Sequence, residues 1–203
     1  MTKLEFFFDC SSPWTYLGFE GLQDLIELYP QVDVVYKPFL VGGVFNAVNP
    51  SVYANRDNPV PAKQAYSKKD MQDWAQLQGI KIGEPPVFPV NSVKAMRGAF
   101  VAIEEGRLVA YARRVFQTYW GELQDISQDE VLSQIVKEVG LDEDKFFSKI
   151  NDQAYKDKLR DTTEELIKRG GFGSPTIFLD EEDMYFGNDR LQLIEAKLME
   201  LPE

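Results

Sequence analysis

Phe6-Phe7-Phe8-Asp9-Cys10-Ser11-Ser12-Pro13-Trp14-Thr15-Tyr16-Leu17 decides the fold. An apolar run enters two serines, and a proline follows at once. Proline suits the first position of a helix, because the N–H it lacks would be unbonded there anyway. Ser12 therefore stands at the N-cap, where a side-chain oxygen accepts from first-turn amides. The positive end of the helix dipole and several free N–H groups meet at that hydroxyl, which suits an anion or a thiolate. The same spacing also describes a serine that only caps a helix, which is its commoner use.

Working outward, residues 3–9 read as a strand buried on both faces, given the consecutive phenylalanines. Leu17, Leu22, Leu25, Ile26 and Leu28 recur at helical spacing to about residue 29, and Pro30 stops that helix. Residues 32–38 read as a second strand, so the start of the chain is a βαβ unit with parallel strands. Gly42-Gly43 then opens a stretch rich in Asn and Pro to about residue 60, which reads as a long loop. Helices are predicted over residues 61–79, 93–105 (with Ser92 at its N-cap) and 108–120. A Ser127–Glu130 capping box starts another, to residue 139. Asp142 and Asp152 cap two more, ending at residues 150 and 168. Strand character returns only at residues 176–179 and 184–186, joined by an acidic hairpin turn. Asn188 or Asp189 caps a last helix over residues 190–201.

Composition narrows the chemistry. The chain has 203 residues, 44% hydrophobic, enough for a core. No apolar run reaches the length of a membrane span, and the N-terminus lacks a long apolar h-region, so a cytoplasmic protein without membrane contact is expected. There is no histidine, which removes Ser-His-Asp catalysis and the usual zinc ligand sets, and no metal is expected. The single cysteine, Cys10, excludes an intrachain disulfide and a CxxC pair. A net charge of −11 argues against nucleic acid as a partner.

Phe8-Asp9-x-x-Ser12-Pro13-x-x-Tyr16-Leu17 resembles the opening motif of 2-hydroxychromene-2-carboxylate isomerases and kappa-class glutathione transferases. The resemblance runs from Phe6 to Leu191 and implies an α/β fold. Its thioredoxin-like sheet (βαβ…ββα) is split by a large all-helical insertion between the second and third strands. Residues 1–41 and 171–203 would form the sheet domain, and 42–170 the insertion. It implies glutathione as cofactor, with Ser12 holding the sulfur as the catalytic residue. Gly173-Ser174-Pro175-Thr176 resembles the family's cis-proline loop, so the Ser174 backbone would pair with the cysteinyl backbone of glutathione. Phe186-Gly187-Asn188-Asp189-Arg190 resembles the segment that holds the γ-glutamyl group. Asn55 and Lys63 resemble residues that hold the rest of glutathione. Asn55, Arg56 and Asn91 would meet a small aromatic substrate. Phe88-Pro89 and Trp120-Gly121-Glu122 also match family segments, although loop packing accounts for them equally well. Met71-Gln72-Asp73-Trp74 lacks the arginine that many members carry there. A homodimer is implied.

The expected activity is a glutathione-dependent cis–trans isomerisation by reversible thiolate addition to a conjugated double bond. The alternatives are a kappa-like glutathione transferase and a DsbA-like thiol–disulfide oxidoreductase acting through Cys10. At the end of a buried strand, Cys10 is expected to be buried and inert.

Overall fold

A computed structural model describes residues 2–200 of the chain, so the expected end of the last helix at Leu201 lies outside the described residues. Four strands form one sheet in the order β2-β1-β3-β4: β1 (Lys3–Phe8), β2 (Asp33–Pro38), β3 (Thr176–Leu179) and β4 (Asp183–Phe186). β1 and β2 are parallel, with Phe8 opposite Pro38. β3 runs antiparallel to both β1 and β4. The parallel pair is bridged by α1 (Pro13–Leu28), as the βαβ reading required. The acidic hairpin turn is present, with Asp180 and Glu181 at positive φ.

The phenylalanine run explains the central strand. Successive side chains of a strand point to opposite faces. Phe6 and Phe8 enter the main core with Leu17, Phe19 and Phe116, while Phe7 joins Phe39, Val44, Leu166 and Phe178 on the other side. Each fully buried phenylalanine contributes about 1.5–3 kcal/mol, so the strand is anchored from both faces.

Between β2 and β3 every regular element among the described residues is helical. In order they are α2 (Val41–Val48), α3 (Ser51–Asp57), α4 (Pro61–Leu77), α5 (Val93–Glu104), α6 (Leu108–Phe116), α7 (Asp129–Glu138), α8 (Glu143–Asn151) and α9 (Gln153–Lys168). α10 (Leu191–Met199) follows β4. No described helix is long and apolar enough to cross a membrane.

Several local expectations are corrected. Residues 42–60 are not one loop but contain α2 and α3. Val41 and Val44 are a helical turn apart and bury their side chains in the second core, which overrides the paired glycines. α3 has no buried residue at all. Ser92 and Ser127 do not cap. Asn91 Oδ1 accepts from Val93 N instead, and the Ser127 amide turns to Asp125 Oδ1. The α6 helix passes into a π-helical turn at Gln117–Gly121. Asn188 and Asp189 lie in a 3-10 turn before α10, without a side-chain cap. Asp142 and Asp152 do cap α8 and α9.

Candidate active site

Ser12 caps α1, with its Oγ accepting from Thr15 N at 3.2 Å. The same hydroxyl donates to the backbone oxygen of Ser174 at 3.3 Å. The Ser174–Pro175 bond is cis, and so is Phe88–Pro89. Ser174 Oγ is itself fixed, accepting from Asp9 N at 3.2 Å and lying 2.6 Å from Thr15 Oγ1. Three segments distant in sequence are thus tied at one point. Gly18 permits this closeness, because a Cβ there would stand 2.9 Å from Pro175 Cγ. Among the described residues the Trp14 amide has no partner, as expected in the first turn of a helix.

The turn carrying Ser12 is held from below. Ser12 N donates to Asp9 O, Cys10 N to Met96 Sδ, and Trp120 Nε1 to Cys10 O at 3.0 Å. The π-helical turn supplies that tryptophan, and its Tyr119 hydroxyl donates to Val87 O. π-helical turns are often found at functional sites. Cys10 is 1% exposed, and burial together with the Asp9 charge pushes its thiol well above the usual range. A protonated, enclosed thiol without a partner cysteine does not suit disulfide exchange.

Asp9 spans two chain segments. Its Oδ1 accepts from Ser11 N and its Oδ2 from Val41 N, each at 2.9 Å. Burial outweighs these bonds and those from the Ser92 and Ser11 hydroxyls, so its pKa is raised.

Ser12, Ser174 and Asp9 open onto a cavity of about 650 Å³. Its walls are largely aromatic and aliphatic: Trp14, Val41, Phe45, Val52, Phe88, Phe172 and Phe186. Phe172 and Phe186 pack at 4.6 Å between ring centroids. Asn91 and Arg56 also line it. A second cavity of about 780 Å³ adjoins it and holds Asn55 and Lys63. Arg56, Tyr53, Met71, Phe88 and Pro89 line both. The Arg56 guanidinium lies 5.4–5.9 Å from the ring centres of Phe45, Tyr53 and Phe88 and has no ion pair among the described residues.

The structure therefore gathers Ser12, Ser174, Phe186, Asn91 and Arg56 at one cavity and leaves Asn55 and Lys63 next door. Pro175 packs behind Ser174. Gly187 has φ +108 and donates to Pro175 O, which turns the chain toward the buried Asn188. Among the described residues the buried Asn188 Nδ2 has no partner, while Asp189 pairs with Arg190 at 3.2 Å. Sequence reasoning missed Asp9, Thr15, Gly18 and the aromatic cage of Arg56. A lone buried acid inside a hydrophobic strand end was the available signal for Asp9.

Residues 3–199 match the DSBA-like thioredoxin domain. The chain belongs to that family. It is 35% identical to the 2-hydroxychromene-2-carboxylate isomerase of Pseudomonas putida over 199 residues, covering 96% of this chain and 93% of that one. It is 26% identical to glutathione S-transferase kappa 1 of Caenorhabditis elegans, over 100% of this chain and 93% of the other. The solved structure of a 2-hydroxychromene-2-carboxylate isomerase superposes with a TM-score of 0.86 at 30% identity, covering 98% of this chain and 95% of that one.

Proposed function

We propose that this protein is a glutathione-dependent isomerase of the 2-hydroxychromene-2-carboxylate isomerase type, acting on a conjugated double bond of an aromatic-derived substrate. The observation that carries the reading is the Ser12 hydroxyl, set between the first turn of α1 and the Ser174 carbonyl at the end of an aromatic cavity. The groups present fit a cysteine-containing peptide. They are a hydroxyl donor beside the free Trp14 amide and a peptide carbonyl across from it, with the Asn188 Nδ2, buried without a partner among the described residues, in the turn that follows β4.

Glutathione, when bound, supplies a thiol nucleophile that adds reversibly to the double bond and so permits rotation about it. The residues of the chain do the rest. Ser12 has one hydroxyl proton, now given to Ser174 O. Turning that proton toward sulfur releases the Ser174 carbonyl, which can then accept the cysteinyl amide. One rotation thus opens both halves of the thiol site. The Trp14 amide and the α1 dipole favour negative charge there, as helix ends do for reactive thiols. Asn188 and its neighbours from Phe186 to Asp189 would hold the γ-glutamyl end, and Asn55 and Lys63 the far end. Arg56 and Asn91 would orient the second substrate against the rings of the cavity.

Transfer of glutathione to an electrophile would use the same residues, and the likeness to the kappa transferase favours it as a second reading. One experiment separates them. A conjugated aryl enone carboxylate is incubated with enzyme and glutathione, and isomers, conjugate and free thiol are followed together. Isomer interconversion with glutathione recovered intact is expected. Stoichiometric consumption into a conjugate would replace the isomerase by the transferase, and isomerisation at the same rate without glutathione would end both.

A further inference from the structure

The chemistry assigned to Ser12 needs a place for the thiol proton, and this chain has no histidine to take it. Asp9 is a buried titratable group, 1% exposed, that lines the same cavity and stands three residues before Ser12. Its carboxyl is wired to the turn through Ser11 N and to the start of α2 through Val41 N. No salt bridge among the described residues neutralises it. If the thiol lost its proton to solvent, two anions would share one poorly hydrated end of the cavity. If the proton moves to Asp9, the cavity carries one negative charge before and after. At low dielectric constant that difference is large.

We propose that Asp9 is the proton acceptor for the thiol held at Ser12. The S–H bond breaks, its electron pair stays on sulfur, and the proton passes to an Asp9 carboxylate oxygen, directly or through the Ser11 hydroxyl. The inference rests on the glutathione reading. A protonated carboxyl keeps acceptor capacity for the two amides and can turn its O–H to Ser92. Burial raises the pKa of Asp9, which makes the carboxylate a stronger base than an exposed one. The other titratable groups around it are the Cys10 thiol on the same turn and Tyr119 on the π-helical turn, both held protonated by burial. Tyr53 and Arg56 line the same cavity from α3.

The test counts protons. Glutathione is titrated into the wild-type protein in buffers of different ionisation enthalpy, which gives protons released to solvent. Ultraviolet absorbance gives thiolate formed. S-Methylglutathione, which has no S–H, supplies the baseline for all other groups. The expected result is thiolate appearing with well under one proton released per thiolate, rising to one in Asp9→Asn. One proton per thiolate in the wild type overturns the inference and leaves the glutathione reading standing. Binding without thiolate formation also overturns it. Absence of any binding removes the glutathione reading and the inference with it. The wild-type count decides even where Asp9→Asn fails to fold.

Discussion

The two ends of the cavity are built differently. At the Ser12 end, hydrogen bonds link the turn to Ser174, to Val41, to Met96 and to the Trp120 indole, and Asp9 and Cys10 are buried. At the Arg56 end, α3 has no buried residue, Phe88 is 50% exposed, and the guanidinium is held by the faces of three rings. Hydrogen-bonded networks fix one geometry. Contacts of a cation with aromatic faces contribute only about 0.5–1 kcal/mol each at exposed sites. The rigid end suits a thiol that must sit at one place. The soft end suits a second substrate whose shape the cavity can follow.

Substitutions can break this contrast. The largest effect is expected at Ser12. Hydrogen bonds to charged groups contribute about 1.5–3 kcal/mol, so Ser12→Ala should lower turnover about tenfold to a hundredfold. The fold should lose only about 1 kcal/mol of cap. Gly18→Ala comes next. Its Cβ would press on the Pro175 ring, and overpacking costs about 1–3 kcal/mol. Melting should drop by several degrees, and turnover should fall with it because Ser174 is pushed away from Ser12. Unchanged melting would mean that the two segments yield easily, against a rigid thiol end.

Arg56→Ala should behave in the opposite way. Stability should fall by no more than about 0.5–1 kcal/mol per lost ring contact, glutathione affinity should hold, and KM for the second substrate should rise. A glutathione affinity that falls as far as the substrate affinity would erase the division between the ends. The smallest effect is expected at Cys10. Alkylation of the native protein near neutral pH should be slow, and Cys10→Ala should retain turnover. Rapid labelling would show a reactive thiolate and bring disulfide exchange back.

The local backbone of the rigid end was legible in the sequence because it is written in residues with strong preferences, while its reading as a thiol site with a cis proline came from the family resemblance. Ser12-Pro13 marks a helix start, and Gly173-Ser174-Pro175 marks a turn into a strand. The phenylalanine run marks a strand buried twice. The soft end was not legible. Gly42-Gly43 and the Asn-rich stretch after them look like a loop, while the two valines that hold α2 act only through contacts with α9 and the sheet. The contacts of Asp9, Gly18 and Trp120 were not legible for a related reason. Their partners lie far along the chain, at Val41, Pro175 and Cys10, and no spacing rule connects them. Arg56 was singled out by the family resemblance, but its ring contacts depend on the fold of α2, α3 and the Phe88 loop together.

The central claim is that Ser12 holds a thiolate rather than only capping α1. The pKa of the glutathione thiol, read from thiolate absorbance against pH in complexes with wild-type and Ser12→Ala protein, tests it most directly. The claim predicts that the bound thiol is more acidic than free glutathione in the wild type, and that its pKa rises by about one to two units in a folded Ser12→Ala complex, the equivalent of a lost charge-assisted hydrogen bond. An unchanged pKa in a folded mutant that still binds glutathione would contradict it and leave Ser12 as a helix cap.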